Sequence, residues 1–305
     1  MTGLTSSLRR DGYELHWRRA GTGGPLVLLH GITDSSACWD RVMAELSDEF
    51  DMVATDARGH GRSSRWPATM RNADMADDAA AVIREEFGAA VAVWGHSMGA
   101  ATATLLAQRH PDLVSAVVLE DPPYAMTPPP PGAHGIPPEM RTAIVEMLRA
   151  LREAPASERL ALAASMNPLW HVDDLPGWVE SKLEVDEAVL SGDVIDWDWR
   201  TPMAGVTAPV LLVVGEPARG GAVDEETASA LVAAHSNTRV VRLPVGHNVH
   251  PGGVRGRARG CARVPGADLT QALAARYSSR TCLRSTLPSM ERGRSSRVAM
   301  LRGTL

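Results

Sequence analysis

Cysteine is scarce in this chain. The three present, Cys38, Cys261 and Cys282, are odd in number and widely spaced, so they spell neither a disulfide framework nor a metal-ligand pattern. No stretch of about 18 apolar residues exists, which argues against a membrane-spanning helix. The polar segment from Met1 to Arg10 has no apolar core of the kind a secretory signal carries. A large excess of one charge is also missing. A net charge of −5 gives no general reason to expect a nucleic acid or an anionic membrane as partner. These absences leave the expectation of a cytoplasmic protein, monomer or homodimer, with no metal and no cofactor.

What is present suits one large α/β domain with an insertion, or two small domains. At 305 residues the chain is long enough to bury a single large core. Short apolar runs at Leu26–Leu29, Met52–Thr55, Ala90–Val93, Val114–Leu119, Val210–Val214 and Arg239–Leu243 read as buried parallel strands. Helical spacing fills the gaps at Ser36–Leu46, at Asn72–Phe87 with Asn72 as its cap, at Met98–Arg109, and from Asp224 to Ala234. Alternating strands and helices imply a mostly parallel sheet covered on both faces. Tyr13 to Trp17 reads as an antiparallel edge strand.

The alternation breaks between Pro122 and Arg200. Pro122-Pro123 and Pro128–Pro131 cannot continue a regular element. The stretch 122–200 then reads as helical, for instance Glu139–Arg152, and carries Trp170, Trp178, Trp197 and Trp199. An insertion of this size between two strands is a candidate lid. Its tryptophans, with Met126, Met140, Met147 and Met166, either line an apolar pocket or form the insertion's own core.

Beyond residue 250 the composition changes abruptly. From Pro251 to Leu305 there are eleven arginines against Asp268 and Glu291, a net of +9, so the first 250 residues carry −14. The segment 251–305 reads as a basic, poorly ordered tail without function. Binding of an anionic surface and a shifted reading frame after His250 are the other readings.

The chemistry is carried by Gly95-His96-Ser97-Met98-Gly99. A G-x-S-x-G run between a buried strand and a helix is a nucleophile elbow. The serine sits on a sharp turn that projects its hydroxyl above the sheet. Small residues at 95 and 99 let the neighbouring backbone approach, and the helix N-terminus can stabilise an oxyanion.

With this elbow the chain resembles the α/β-hydrolase superfamily over residues 12 to 250. Leu29-His30-Gly31-Ile32 resembles the family's oxyanion loop, which implies Ile32 and Met98 as the N–H donors. Asp56-Ala57-Arg58-Gly59-His60-Gly61-Arg62-Ser63 resembles its structural D-x-R-G-x-G-x-S loop, so His60 is expected to pack rather than react. Gly246-His247 resembles the signature that delivers the base, whereas His96 and His250 read as loop side chains. The acid departs from the common pattern. The usual position, three residues after Gly215, is Ala218. Some members take the acid from the preceding strand's end, which makes Asp121 the first choice, with Glu216 second and Glu120 third.

The resemblance implies the α/β-hydrolase fold with an inserted helical lid. The core would be 1–121 and 201–250. It also implies a serine hydrolase acting on a small molecule. A carboxylic ester or lactone with a hydrophobic body is favoured, with Trp170, Trp178 and Trp197 as candidate substrate contacts. Carbon–carbon bond hydrolysis and perhydrolysis use the same triad. A non-catalytic small-molecule receptor on the same fold is the reading from another class.

Overall fold

In the computed structural model, residues 4–10, 12–65, 71–126, 136–191 and 198–253 are described. The tail beyond residue 253, with the readings made on it, lies outside the described residues, as does Trp197.

Eight strands form one sheet: β1 (Leu4–Arg10), β2 (Tyr13–Gly21), β3 (Gly24–Leu29), β4 (Phe50–Asp56), β5 (Val91–His96), β6 (Val114–Glu120), β7 (Val210–Val214) and β8 (Thr238–Arg242). Their order is β1-β2-β4-β3-β5-β6-β7-β8. β1 and β2 run antiparallel to each other, β2 runs antiparallel to β4, and every other pairing is parallel. β5 and β7 are buried along their whole length, as a sheet covered on both faces requires.

Two expectations need correction here. β2 is not the edge; β1 covers it. β1 escapes sequence reading because most of its side chains are at least partly exposed, so no apolar alternation marks it. Asn72 is also not a cap. The cap position is Arg71, whose backbone N–H donates to the Asp74 carboxylate at 2.7 Å. Asn72 is instead buried and accepts the Thr102 hydroxyl at 2.7 Å.

The covering helices are α1 (Asp40–Leu46), α2 (Asn72–Glu86) and α3 (Met98–Arg109), with α4 (Pro138–Glu153), α5 (Arg159–Met166) and α6 (Leu175–Glu184) in the insertion. α7 (Arg200–Ala204), α8 (Glu225–Ala234) and α9 (Val249–Gly253) complete the chain. Asp224 caps α8 through the Thr227 N–H at 2.8 Å. One large apolar cluster lies on the α2–α3–α8 side and another on the α1 side. Among the described residues, no helix is long and apolar enough to cross a membrane.

Helices α4 and α5 pack on α6, and α6 docks on the core by close contact. A Cβ at Gly177 of α6 would fall 2.1 Å from the Ala37 carbonyl oxygen, so only glycine lets α6 rest on the short 3-10 turn Ser36–Trp39. Ion pairs join the same surfaces. Arg41 holds Asp174 at 2.8 Å, and Arg18 holds Glu180 at 2.7 Å.

Candidate active site

Ser97 stands between β5 and α3 with φ 51° and ψ −114°. A non-glycine residue at positive φ is strained, and such strain persists only where the surroundings impose it. They do so here by close backbone approach. A Cβ at Gly95 would meet the Gly99 carbonyl oxygen at 2.1 Å, and one at Gly99 would meet the Leu29 carbonyl oxygen at 2.1 Å. The motif's two glycines therefore let α3 press against its own elbow and against β3. The Ser97 N–H donates to the Glu120 carbonyl at 2.9 Å, tying the elbow to the end of β6.

The loop after β8 brings His247 over this serine. Ser97 Oγ donates to His247 Nε2 at 2.9 Å, and His247 Nδ1 donates to Asp121 Oδ2 at 2.7 Å. Asp121 is fully buried. Its carboxylate also accepts the Gly215 N–H at 3.2 Å and the Ala222 N–H at 2.7 Å. Its own backbone has φ 43°. Thus a second strained residue ends the strand next to the elbow.

The other two carboxylates lie elsewhere. Glu216 is on the surface, paired to Arg219 at 2.8 Å. Glu120 is fully buried and holds a different histidine. Its Oε1 accepts His250 Nδ1 at 2.8 Å and the backbone N–H groups of Val249 and His250 at 3.0 and 2.9 Å, while Oε2 accepts Trp94 Nε1 at 2.9 Å. Burial would raise the Glu120 carboxyl, but His250 brings it down to about 2. Burial would lower His250, yet Glu120 and the more distant Asp174 and Asp34 raise it above the ordinary imidazole value. Adjacent carboxylates on one strand end thus each grip one of two histidines three residues apart.

The reading of His250 and His96 as loop side chains is therefore corrected. His250 lies within α9, 3% exposed, stacked on Trp39 with ring centroids 4.4 Å apart. His96 is 2% exposed, and its Nε2 donates to the His247 carbonyl at 3.3 Å. Both side chains brace the backbone that carries His247. Their burial could not be read from sequence, because each partner lies on a distant segment.

His60 packs as expected. It is buried with its ring 4.8 Å from that of His30, and burial pushes it down to about 3. The Asp56 loop holds itself together. Asp56 accepts the Ser36 N–H at 2.7 Å and the Arg62 N–H at 3.1 Å.

The candidate oxyanion donors come from two segments, whose Ile32 and Met98 side chains share one apolar cluster. Met98 N–H opens α3. Ile32 lies in the turn Gly31–Asp34, closed by the Asp34 N–H donating to the Gly31 carbonyl at 3.1 Å. Above this turn lies an apolar ceiling. Ile144, Met147 and Leu148 of α4, with Val185, Val189 and Leu190, pack with Met75, Met98 and Ile32.

Of the insertion's aromatics, Trp170 and Trp178 meet edge to face at 5.7 Å and belong to its core. They also line a cleft of about 200 Å³ with Asp34, Cys38, Asp174 and His250. A second cleft of about 430 Å³ lies beside the oxyanion turn, lined by His16, His30, Asp56, Met75, Asp78 and Met98 among others. Ser97 lines neither cleft. Trp199 stacks on Tyr124 at 5.0 Å within the main core. Met140 and Met166 are exposed and line neither of these clefts. Among the described residues, no group of three or more His, Cys, Asp or Glu is placed to hold a metal ion.

Comparison with known proteins agrees with this fold. A 2-(acetamidomethylene)succinate hydrolase from Mesorhizobium japonicum is 40% identical over 107 residues, 35% of this chain and 38% of that protein. The chain thus spans well under half the length of the first curated relatives it matches. A pimeloyl-[acyl-carrier protein] methyl ester esterase from Vibrio vulnificus is 29% identical over 210 residues, 66% of this chain and 79% of that one. The crystal structure of an E-2-(acetamidomethylene)succinate hydrolase superposes with a TM-score of 0.68 at 27% identity, covering 82% of this chain and 94% of the other. A family model described as the alpha/beta hydrolase fold matches residues 24–250. This chain therefore belongs to the α/β-hydrolase-fold family.

Proposed function

We propose that the protein is a serine hydrolase that cleaves a carboxylic ester or lactone of a hydrophobic small molecule through an acyl-enzyme. The observation that carries this reading is the unbroken hydrogen-bond chain from Ser97 Oγ through His247 to Asp121. A receptor on this fold has no need of a strained serine aligned with a buried imidazole–carboxylate pair. A carboxylic ester is also the substrate type named for the esterase relative, and the apolar ceiling suits a hydrophobic acyl group.

In this mechanism Ser97 Oγ attacks the bound carbonyl carbon as its proton passes to His247 Nε2. The Ile32 and Met98 N–H groups donate to the oxyanion that forms. His247 then protonates the leaving alkoxide, and the carbonyl re-forms as an acyl-Ser97 ester. Water enters, gives a proton to the same Nε2, and attacks the acyl carbon. Collapse of the second tetrahedral intermediate returns that proton to Ser97 and releases the acid. Asp121 stays ionised throughout, holding the proton on Nδ1 and stabilising the imidazolium. A serine nucleophile fits acyl transfer. Alkyl-enzyme chemistry of the dehalogenase or epoxide-hydrolase kind would need a carboxylate in its place.

The test is labelling with a fluorophosphonate probe alongside turnover of p-nitrophenyl butyrate. Labelling is expected in the wild type and lost in Ser97→Ala. Asp121→Asn is expected to lower kcat on the order of 10⁴-fold, as removal of a triad aspartate does elsewhere, while Glu216→Gln stays near wild type. Folded wild-type protein that neither labels nor turns over would refute the reading. So would equal small effects of the two carboxylate substitutions.

A further inference from the structure

Lys182 is the chain's single lysine, because the rest of its 31 lysine and arginine residues are all arginines. It is also among the most buried residues of the molecule, at 1% exposure. It projects from α6 through the interface with the core. Its ammonium has three donors, and three acceptors surround it: Asp34 Oδ1, the Thr33 carbonyl at 3.1 Å and Ser181 Oγ at 3.3 Å. Two of these acceptors belong to the turn Gly31–Asp34, on the two residues that follow Ile32. The Trp178 ring lies 4.8 Å from Nζ on another side.

That turn is under strain. Thr33, its third residue, has φ 66°. A β-branched side chain rarely tolerates this left-handed backbone, and turns that need it normally place glycine there. Such a conformation persists only when neighbouring groups over-determine it. The other end of the turn is blocked. A Cβ at Gly31 would fall 2.7 Å from His96 Nδ1 and 3.0 Å from Asp34 Oδ2. Burial alone would raise the Asp34 carboxyl, but Lys182 and His96 hold it well below the usual carboxylate range. Asp34 is therefore a fixed anion on which the ammonium can pull.

We propose that Lys182 is a positioning residue for the oxyanion site: delivered by α6, it locks the Gly31–Asp34 turn in its positive-φ form and so aims the Ile32 N–H at the reacting carbonyl. The proposal rests on the serine-hydrolase reading above. It ties catalysis to docking of the insertion, since α6 carries both Lys182 and the Gly177 contact. It also accounts for the one use of lysine in an arginine-rich chain. A compact ammonium can converge on three acceptors around one point, and a planar guanidinium fork cannot.

The experiment compares three variants in the full chain: Lys182→Arg, the charge-free pair Lys182→Met with Asp34→Asn, and that pair with Thr33→Gly added. Folding is followed by circular dichroism and Tm. Turnover of p-nitrophenyl butyrate gives kcat and KM, and a trifluoromethyl ketone reports affinity for a tetrahedral oxyanion. The pair is expected to lose about 10²-fold in kcat, the loss seen when one oxyanion donor is removed, with KM within about threefold. Ketone affinity should fall in step with kcat/KM. Thr33→Gly should restore about tenfold, because glycine holds the turn without the ammonium. Lys182→Arg should also lose at least about tenfold in kcat, and it carries the test if the pair does not fold. A folded pair variant, or Lys182→Arg, with kcat within about threefold of wild type overturns the proposal. So does a loss of kcat that Thr33→Gly fails to recover. A wild-type protein without labelling or turnover is a different result, because it removes the serine-hydrolase reading itself.

Discussion

Two neighbouring acidic residues, Glu120 at the end of β6 and Asp121 just beyond it at positive φ, do different work. Asp121 reaches His247 and Glu120 reaches His250. The Glu120–His250 pair has a definite pH signature. Glu120 is held at about 2 against an ordinary 4.5. Its contribution to stability is therefore present above pH ~4.5 and lost as pH falls toward ~2, and it is worth on the order of 3 kcal/mol. His250 is raised above its ordinary 6.5. Its contribution is complete below pH ~6.5 and fades as pH rises through the folded value. The pair should thus stabilise most between about pH 4.5 and 6.5. Measured as Tm against pH, the gap between wild type and Glu120→Gln should be widest in that window. A gap that does not vary with pH would rule the ion pair out as its source. Glu120→Gln should also lower turnover by about 10²-fold or less, since it loosens the segment carrying His247 without touching the reacting atoms.

At the scale of elements, legibility followed how local each signal was. The elbow and the strand ends could be read because strand, turn and helix are continuous in sequence. His247 and Asp121 were nominated by resemblance to the family, and the structure brings their side chains together at 2.7 Å. β1 was not legible, because a largely exposed edge strand carries no apolar alternation. Nor were the partners of His250 and Lys182, which lie 130 and 148 residues away in the chain. Gly177 is the clearest case of a residue whose meaning is purely tertiary. In an ordinary exposed helix, replacing glycine by alanine gains about 1 kcal/mol. Here the added Cβ would strike the Ala37 carbonyl oxygen. Gly177→Ala should instead destabilise by about 1–3 kcal/mol, the usual cost of overpacking, and should lower kcat by shifting α6 and Lys182. A raised Tm would mean that α6 does not rest on the Ser36–Trp39 turn.

At the scale of the molecule, the insertion and the sheet are joined by buried charges rather than by apolar packing alone. Arg41 grips Asp174 and, through a second nitrogen, donates to the His250 carbonyl at 2.8 Å. Lys182 grips the turn beside Ile32. If the insertion acts as a lid, these contacts must break when it lifts and re-form when it closes, each time resetting one side of the site. Water entering the gap lowers the cost of separating the charges, so opening is a solvation event as well as a hinge motion. The composition of the chain makes this motion directly countable. With a single lysine, an amine-reactive ester can modify only Lys182 and the α-amino group, and mass spectrometry separates the two. Lys182 should react far more slowly than the α-amino group, at a rate set by how often α6 undocks. Asp34→Asn should speed its modification, and a phosphonate on Ser97 beneath the closed insertion should slow it. If Lys182 reacted as quickly in the phosphonylated protein as in the free one, movement of the insertion would not be coupled to occupancy of the serine.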